Sequence, residues 1–114
     1  MERTFGCALR ELRRSKGISQ RNLAEKVGVD FSYISKIEND RLPPPAADTI
    51  VKICEALEVP PDSLLALSGK IPKELEETIG SSPAAMQFIR SAQSMGLTEE
   101  EWRLLTRQLR QLRS

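Results

Sequence analysis

The chain has 114 residues, of which 39% are hydrophobic and 29% charged, enough for one ordinary domain or for a small domain with an appendage. Aromatic residues are scarce at 4%, so any core must be built from Leu, Ile, Val and Ala. With no histidine, two distant cysteines (Cys7 and Cys54) and no Gly-rich phosphate loop, the usual zinc spacings and catalytic constellations are excluded, and neither cofactor nor metal is expected.

No apolar run approaches the roughly 20 residues that span a bilayer, and the charged start (Glu2, Arg3) is unlike a signal segment. A cytoplasmic protein without a membrane partner is expected. In that reducing setting a disulfide is disfavoured. Cys54 then reads as a small buried helix residue and Cys7 as a partly exposed one. Net charge is only +1, but its distribution is uneven. Residues 1–41 hold nine Lys/Arg against six Asp/Glu, whereas residues 42–80 hold three against seven. A basic first third followed by an acidic middle suggests one face prepared for a polyanion.

Strand-like alternation is absent, and the periodic stretches are rich in Leu, Ala, Glu, Lys and Arg, so an all-α chain is predicted. A first helix over 4–15 places Phe5, Ala8, Leu9 and Leu12 on one face and Arg10, Arg13 and Arg14 largely on the other. Lys16-Gly17 ends it. Ser19 caps a second helix over 20–27 that buries Leu23, Ala24 and Val27. Gly28 then turns the chain, and Asp30 caps a third helix over 31–39 with Ile34 and Ile37 inward. Two short helices joined by a three-residue turn containing Gly outline a helix-turn-helix.

Arg41-Leu42-Pro43-Pro44-Pro45 is a rigid connector. A fourth helix over 47–57 turns Ile50, Ile53, Cys54 and Leu57 inward, and Pro60-Pro61-Asp62 leads into a short fifth helix over 63–67. The first domain is expected to span 1–69. Residues 70–83 read as a linker, with one or two helical turns available over 73–79. Residues 84–114 read as a helical hairpin: a helix over 84–95, a turn at Gly96, a capping box at Thr98 and Glu101, and a last helix bearing Trp102, Leu105, Leu109 and Leu112.

In a helix-turn-helix the second helix enters the major groove and its outward side chains meet base edges. Here these are Phe31, Ser32, Ser35 and Lys36. Lys36 can donate to guanine, the two serines can serve several bases, and Phe31 can pack on a thymine methyl. Phosphate contacts, which set register without reading sequence, fall to Arg13, Lys16, Gln20, Arg21, Tyr33, Asn39 and Arg41. Polar residues on an exposed face mean little singly. The ordered pattern of caps, apolar spacing and Gly turn over 19–39 is what gives them weight.

The runs Leu9-Arg10-Glu11-Leu12-Arg13, Gly17-Ile18-Ser19-Gln20, Leu23-Ala24-Glu25-Lys26-Val27-Gly28-Val29 and Tyr33-Ile34-Ser35-Lys36-Ile37-Glu38-Asn39 resemble the Xre/Cro/cI family of helix-turn-helix regulators. The resemblance covers residues 5–69. It implies a five-helix, phage-repressor-like fold in which Phe31, Ser32 and Lys36 meet bases and Gln20 meets phosphate. Asp40 departs from the family, which commonly has Gly there, although Asp tolerates the left-handed conformation.

Phe88-Ile89-Arg90-Ser91-Ala92 and the run from Met95 to Trp102 resemble the oligomerisation hairpin of SinR-type repressors. So few residues cannot bury both apolar stripes against each other, so Phe88, Ile89, Ala92, Trp102, Leu105, Leu109 and Leu112 need a covering surface. A homodimer, packing on the first domain, and a hetero-partner with a similar hairpin all satisfy that need. In SinR-type systems the resemblance implies such an antagonist. The expected function is a dimeric repressor on an inverted-repeat DNA operator. The alternative is an antitoxin or antagonist-controlled protein that binds its partner through the hairpin and autoregulates its operon.

Overall fold

Residues 3–114 are described by a computed structural model, and among them the backbone forms helices and no strand. The helices are α1 (Phe5–Ser15), α2 (Gln20–Val27), α3 (Phe31–Glu38), α4 (Ala47–Leu57), α5 (Asp62–Ser68), α6 (Lys73–Gly80), α7 (Pro83–Met95) and α8 (Glu99–Gln111). They divide into two compact units, one ending at Leu75 and the other spanning Glu76–Ser114, with the boundary inside α6.

Local chemistry sets the helix ends. The side chains of Thr4, Ser19 and Asp30 accept the backbone N–H of Cys7 (3.1 Å), Asn22 (3.1 Å) and Ser32 (3.3 Å), each satisfying a donor that the first helical turn leaves free. α1 therefore starts one residue later than expected, because Thr4 is its cap rather than its first turn. Asn39 likewise caps α3 rather than belonging to it. Gly28, at φ 84°, closes α2 in the left-handed conformation that a side chain would strain.

In the first unit α2 packs on α3 and α4, α1 packs on α3 and α5, and α4 packs on α5. The shared core holds Phe5, Ala8, Leu9, Leu23, Ala24, Ile34, Ile37, Ile50, Ile53, Cys54, Leu57 and Leu64. It is almost wholly aliphatic, as the shortage of aromatics requires. Leu12 and Val27 pack at its margin, half-buried. Both cysteines are free. Burial, and then the charge of Asp62, push the Cys54 thiol up to about 11, so it stays protonated at neutral pH. Cys7 is exposed on α1.

α1 crosses the end of α3 at very close range. A methyl group on Gly6 would lie 2.3 Å from the Ile37 carbonyl oxygen and 2.8 Å from that of Glu38. Asp40 completes this contact. It adopts the left-handed conformation at φ 57°, and its carboxylate accepts the Gly6 N–H (3.3 Å) and the Thr4 hydroxyl (3.0 Å). The residue that departs from the family pattern thus closes α3 and caps α1 at once, an anion placed at the positive end of a helix.

The segment 70–83 is more ordered than a linker. Lys70 donates to the carbonyls of Pro44 (2.9 Å) and Pro45 (3.0 Å), tying it to the proline connector. α6 then fills most of the remainder, and Pro83 opens α7 in the position where its missing N–H costs nothing.

Replacing Gly6 with Ala should lower unfolding stability by about 1–3 kcal/mol, since the carbonyls it would strike are fixed backbone. Urea denaturation checks this, with Gly80→Ala, which meets nothing within 4 Å, as the neutral control. In the native protein a thiol reagent should modify Cys7 and spare Cys54, whose modification follows only on unfolding.

Candidate nucleic-acid interface

α2, the turn at Gly28 and α3 form the helix-turn-helix. Ile34 and Ile37 are buried and fix the rotation of α3 about its axis. Phe31, Ser32, Lys36 and Asn39 are then exposed, with Ser35 half-buried between them. The four residues expected to read bases therefore share one outward stripe. The Ser32 hydroxyl donates to its own cap, Asp30, which leaves its lone pairs outward as acceptors. That hydrogen bond, and then the Ser32 backbone N–H, hold the Asp30 carboxyl below its ordinary value. Beside the stripe, the Arg21 guanidinium lies over the Phe31 ring at 4.8 Å, joining the N-terminal ends of α2 and α3.

Behind this surface lies a buried ionic cluster. The Glu38 side chain is fully enclosed, and Arg13 is only 8% exposed. Arg13 Nε donates to Glu38 Oε2 (2.7 Å) and Nη2 to Oε1 (2.9 Å), a two-point contact, while Nη1 donates to the Ile18 carbonyl (2.9 Å). Gln20 Nε2 adds a bond to Glu38 Oε1 at 2.9 Å. Arg10 donates to the Glu38 carbonyl (3.1 Å) and to Asn39 Oδ1 (2.6 Å). Burial by itself would raise the Glu38 carboxyl. The bonds from Arg13 and Gln20, with the charges of Arg13 and Arg10, outweigh it and hold the group below its ordinary range. The Arg13 guanidinium is raised in turn, chiefly by its bonds to Glu38.

Several expectations change here. Arg13 is not a freely exposed cation on the outer face of α1; it is largely enclosed and paired with Glu38, and only its edge reaches the surface. The Gln20 amide gives one N–H to Glu38, so what it offers an anion is its second amide N–H and the backbone N–H in the first turn of α2. Asn39 is engaged on both sides, since its amide also donates to the Ser35 carbonyl (2.9 Å). Tyr33 is half-buried against the core. Lys16, at the C-cap of α1, and Arg41, just beyond Asp40, are exposed. Arg14 and Ser19 join Arg13, Gln20, Arg21 and Phe31 around one surface hollow, although the sequence singled out neither Arg14 nor Ser19 for DNA. Glu38 and Arg10 were missed altogether. The periodicity contained the signal, because Glu38 continues the inward row of Ile34 and Ile37, and Arg13 continues that of Phe5 and Leu9.

The second unit contains the α7–α8 hairpin. Thr98 and Glu101 form the expected capping box, at 3.1 and 3.0 Å. Phe88, Trp102, Leu105, Leu109 and Leu112 line an apolar groove, and Leu109 and Leu112 are 65% and 75% exposed. Ile89 is exposed on α7. Ala92 differs: it is buried within its own hairpin, so a partner would meet its neighbours instead. Among the described residues there is no cluster that could hold a metal ion, and no helix is long and apolar enough to cross a membrane.

The arrangement defines a helix-turn-helix protein, and comparison with known proteins agrees. A helix-turn-helix family model matches residues 9–64. The HTH-type transcriptional regulator RghRB of Bacillus subtilis (strain 168) is 32% identical over 113 residues, covering 91% of this chain and 81% of that protein. The crystal structure of SinR, a master regulator for biofilm formation, in complex with DNA is 35% identical and superposes with a TM-score of 0.52, over 54% of this chain and 98% of that one. The SinR/SinI complex is matched at 27% identity and a TM-score of 0.53, over 94% and 95% of the two chains. The chain belongs to the helix-turn-helix family of transcriptional regulators. It is a DNA-binding regulator and not an enzyme.

Substituting Glu38 by Gln leaves the Arg13 charge enclosed and should cost about 3–5 kcal/mol at neutral pH. Because the folded carboxyl titrates below its ordinary value, its contribution is complete above that value and disappears as pH falls through the folded one. The difference between parent and variant should therefore be widest near neutrality and narrow in acid, as read by denaturation at stepped pH.

Proposed function

We propose that this regulator is a dimeric repressor that lays α3 in the major groove of each half of an inverted repeat. The observation behind this reading is the outward stripe of α3, with Phe31, Ser32, Ser35 and Lys36 held against a fixed ionic anchor. Lys36 donates to guanine O6 or N7, Ser32 accepts from a base amino group, Ser35 serves either role, and Phe31 packs on a thymine methyl. Around them the Gln20 backbone N–H, Lys16, Arg21, Tyr33, Asn39 and Arg41 meet phosphates. SinR bound to DNA supports this placement by likeness.

The apolar groove of the α7–α8 hairpin supplies the dimer contact through Phe88, Ile89, Trp102, Leu105, Leu109 and Leu112. Two copies then present recognition helices roughly 34 Å apart, one turn of DNA, and the bound dimer blocks polymerase. A second reading is favoured by the SinR/SinI complex, whose likeness extends over the hairpin. In it a small antagonist or toxin protein occupies the same groove and releases the DNA, so that binding to the operon is autoregulatory.

The test is a titration of full-length protein on a duplex from its own upstream region and on a shuffled duplex. Lys36→Ala should cost about 1–3 kcal/mol on the former and little on the latter. Arg21→Ala should weaken both alike and lower the salt slope by about one. Equal affinity of the parent protein for both duplexes would refute operator reading. Release of the duplex by a stoichiometric protein partner would establish the second reading.

A further inference from the structure

Arg10 leaves α1 and reaches the C-terminal end of α3. One of its nitrogens, Nη2, donates to two acceptors there, the Glu38 carbonyl (3.1 Å) and Asn39 Oδ1 (2.6 Å). Its Nε lies 3.6 Å from Glu38 Oε1, so the buried carboxylate holds the guanidinium from behind. A cation placed here also meets the negative end of the α3 dipole. Arg10 is half-buried, whereas Asn39 is exposed at the end of the outward stripe.

A primary amide has two unlike ends. Its oxygen accepts and its nitrogen donates, while a guanidinium has no acceptor at all. Arg10 can therefore bind only the oxygen end of Asn39, and this turns the nitrogen end towards Ser35. There Asn39 Nδ2 donates one N–H to the Ser35 carbonyl at 2.9 Å, with the Ser35 hydroxyl farther off at 3.5 Å. The second N–H is left to an acceptor from outside. Rotated by half a turn, the same side chain would set its oxygen against a phosphate oxygen, acceptor against acceptor.

We propose that Arg10 is a positioning residue for DNA binding: it holds the Asn39 amide with an N–H outward, so that Asn39 donates to a backbone phosphate. This rests on the phosphate reading of Asn39 given above. Arg10 acts through Asn39 alone, because Glu38 and Asn39 already engage its guanidinium.

Titration of full-length variants on the upstream and shuffled duplexes tests it. Arg10→Met keeps an apolar stem and removes the donors, and Asn39→Ala removes the amide. Glu38 keeps Arg13 and Gln20 in both, so the fold should persist. Each variant should bind both duplexes about tenfold more weakly. The salt slope should stay at the parent value, since a neutral amide displaces no counterion. The two substitutions together should cost no more than either alone. In the free protein, NMR of the Asn39 side-chain amide should show a rigid group that becomes mobile in Arg10→Met, a readout independent of DNA. Unchanged affinity in Asn39→Ala would remove the phosphate reading, and this role with it. A loss in Asn39→Ala with none in Arg10→Met, or an amide that stays rigid in Arg10→Met, would overturn the positioning role alone. So would additive losses with a salt slope lowered by about one, which would make Arg10 a phosphate contact in its own right.

Discussion

The candidate interface depends on one carboxylate that water cannot reach. Enclosing the Glu38 charge alone would cost on the order of several kcal/mol, so it is tolerable only because Arg13 meets it at two points and Gln20 at a third. Those partners come from different places: Arg13 from the last turns of α1, Gln20 from the first residue of α2, and Glu38 from the end of α3. A planar guanidinium bound to a planar carboxylate has a preferred direction, which aliphatic contacts lack. The cluster therefore fixes how the recognition helix lies against its neighbours. The same cluster engages most of the Arg13 guanidinium and one N–H of the Gln20 amide in holding the fold.

Two further contacts hold the opposite end of α1 to α3. Gly6 allows the backbones to approach closer than any side chain would permit, and Asp40 occupies the space so created with a carboxylate on the α1 N-terminus. α1 is thus pinned to α3 by charge at both its ends. On the outward stripe of α3, Ser32 bonds Asp30, Phe31 is covered by Arg21 and Asn39 is held by Arg10, while Lys36 is left free of structural duty.

The two units use apolar surface in opposite ways. The first closes an aliphatic core from five helices and leaves few large apolar side chains outside it. The second has two main helices, too few to enclose a core, and leaves Phe88, Trp102, Leu109 and Leu112 exposed around a groove. Exposure on that scale calls for a covering surface.

Local chemistry alone determined most of the helices, because caps and turns act within a few residues. Ser19, Asp30, Gly28 and the Thr98 box stand where the sequence put them, and so do the inward residues Leu23, Ile34, Ile50 and Ile53. The outward stripe of α3 followed from the same periodicity. Three-dimensional packing decided the rest. Whether an arginine on α1 is a solvated cation or half of a buried pair depends on what faces it from 25 residues away, and no local rule contains that distance. Nor could spacing alone show that Lys70 is tied back to the proline connector, or that Ala92 is sealed inside its hairpin. The sequence determines which groups a helix presents on each face, since that is set by its pitch. The fold decides which of them remain free to act, since hydrogen bonds and charges are satisfied across elements rather than along them.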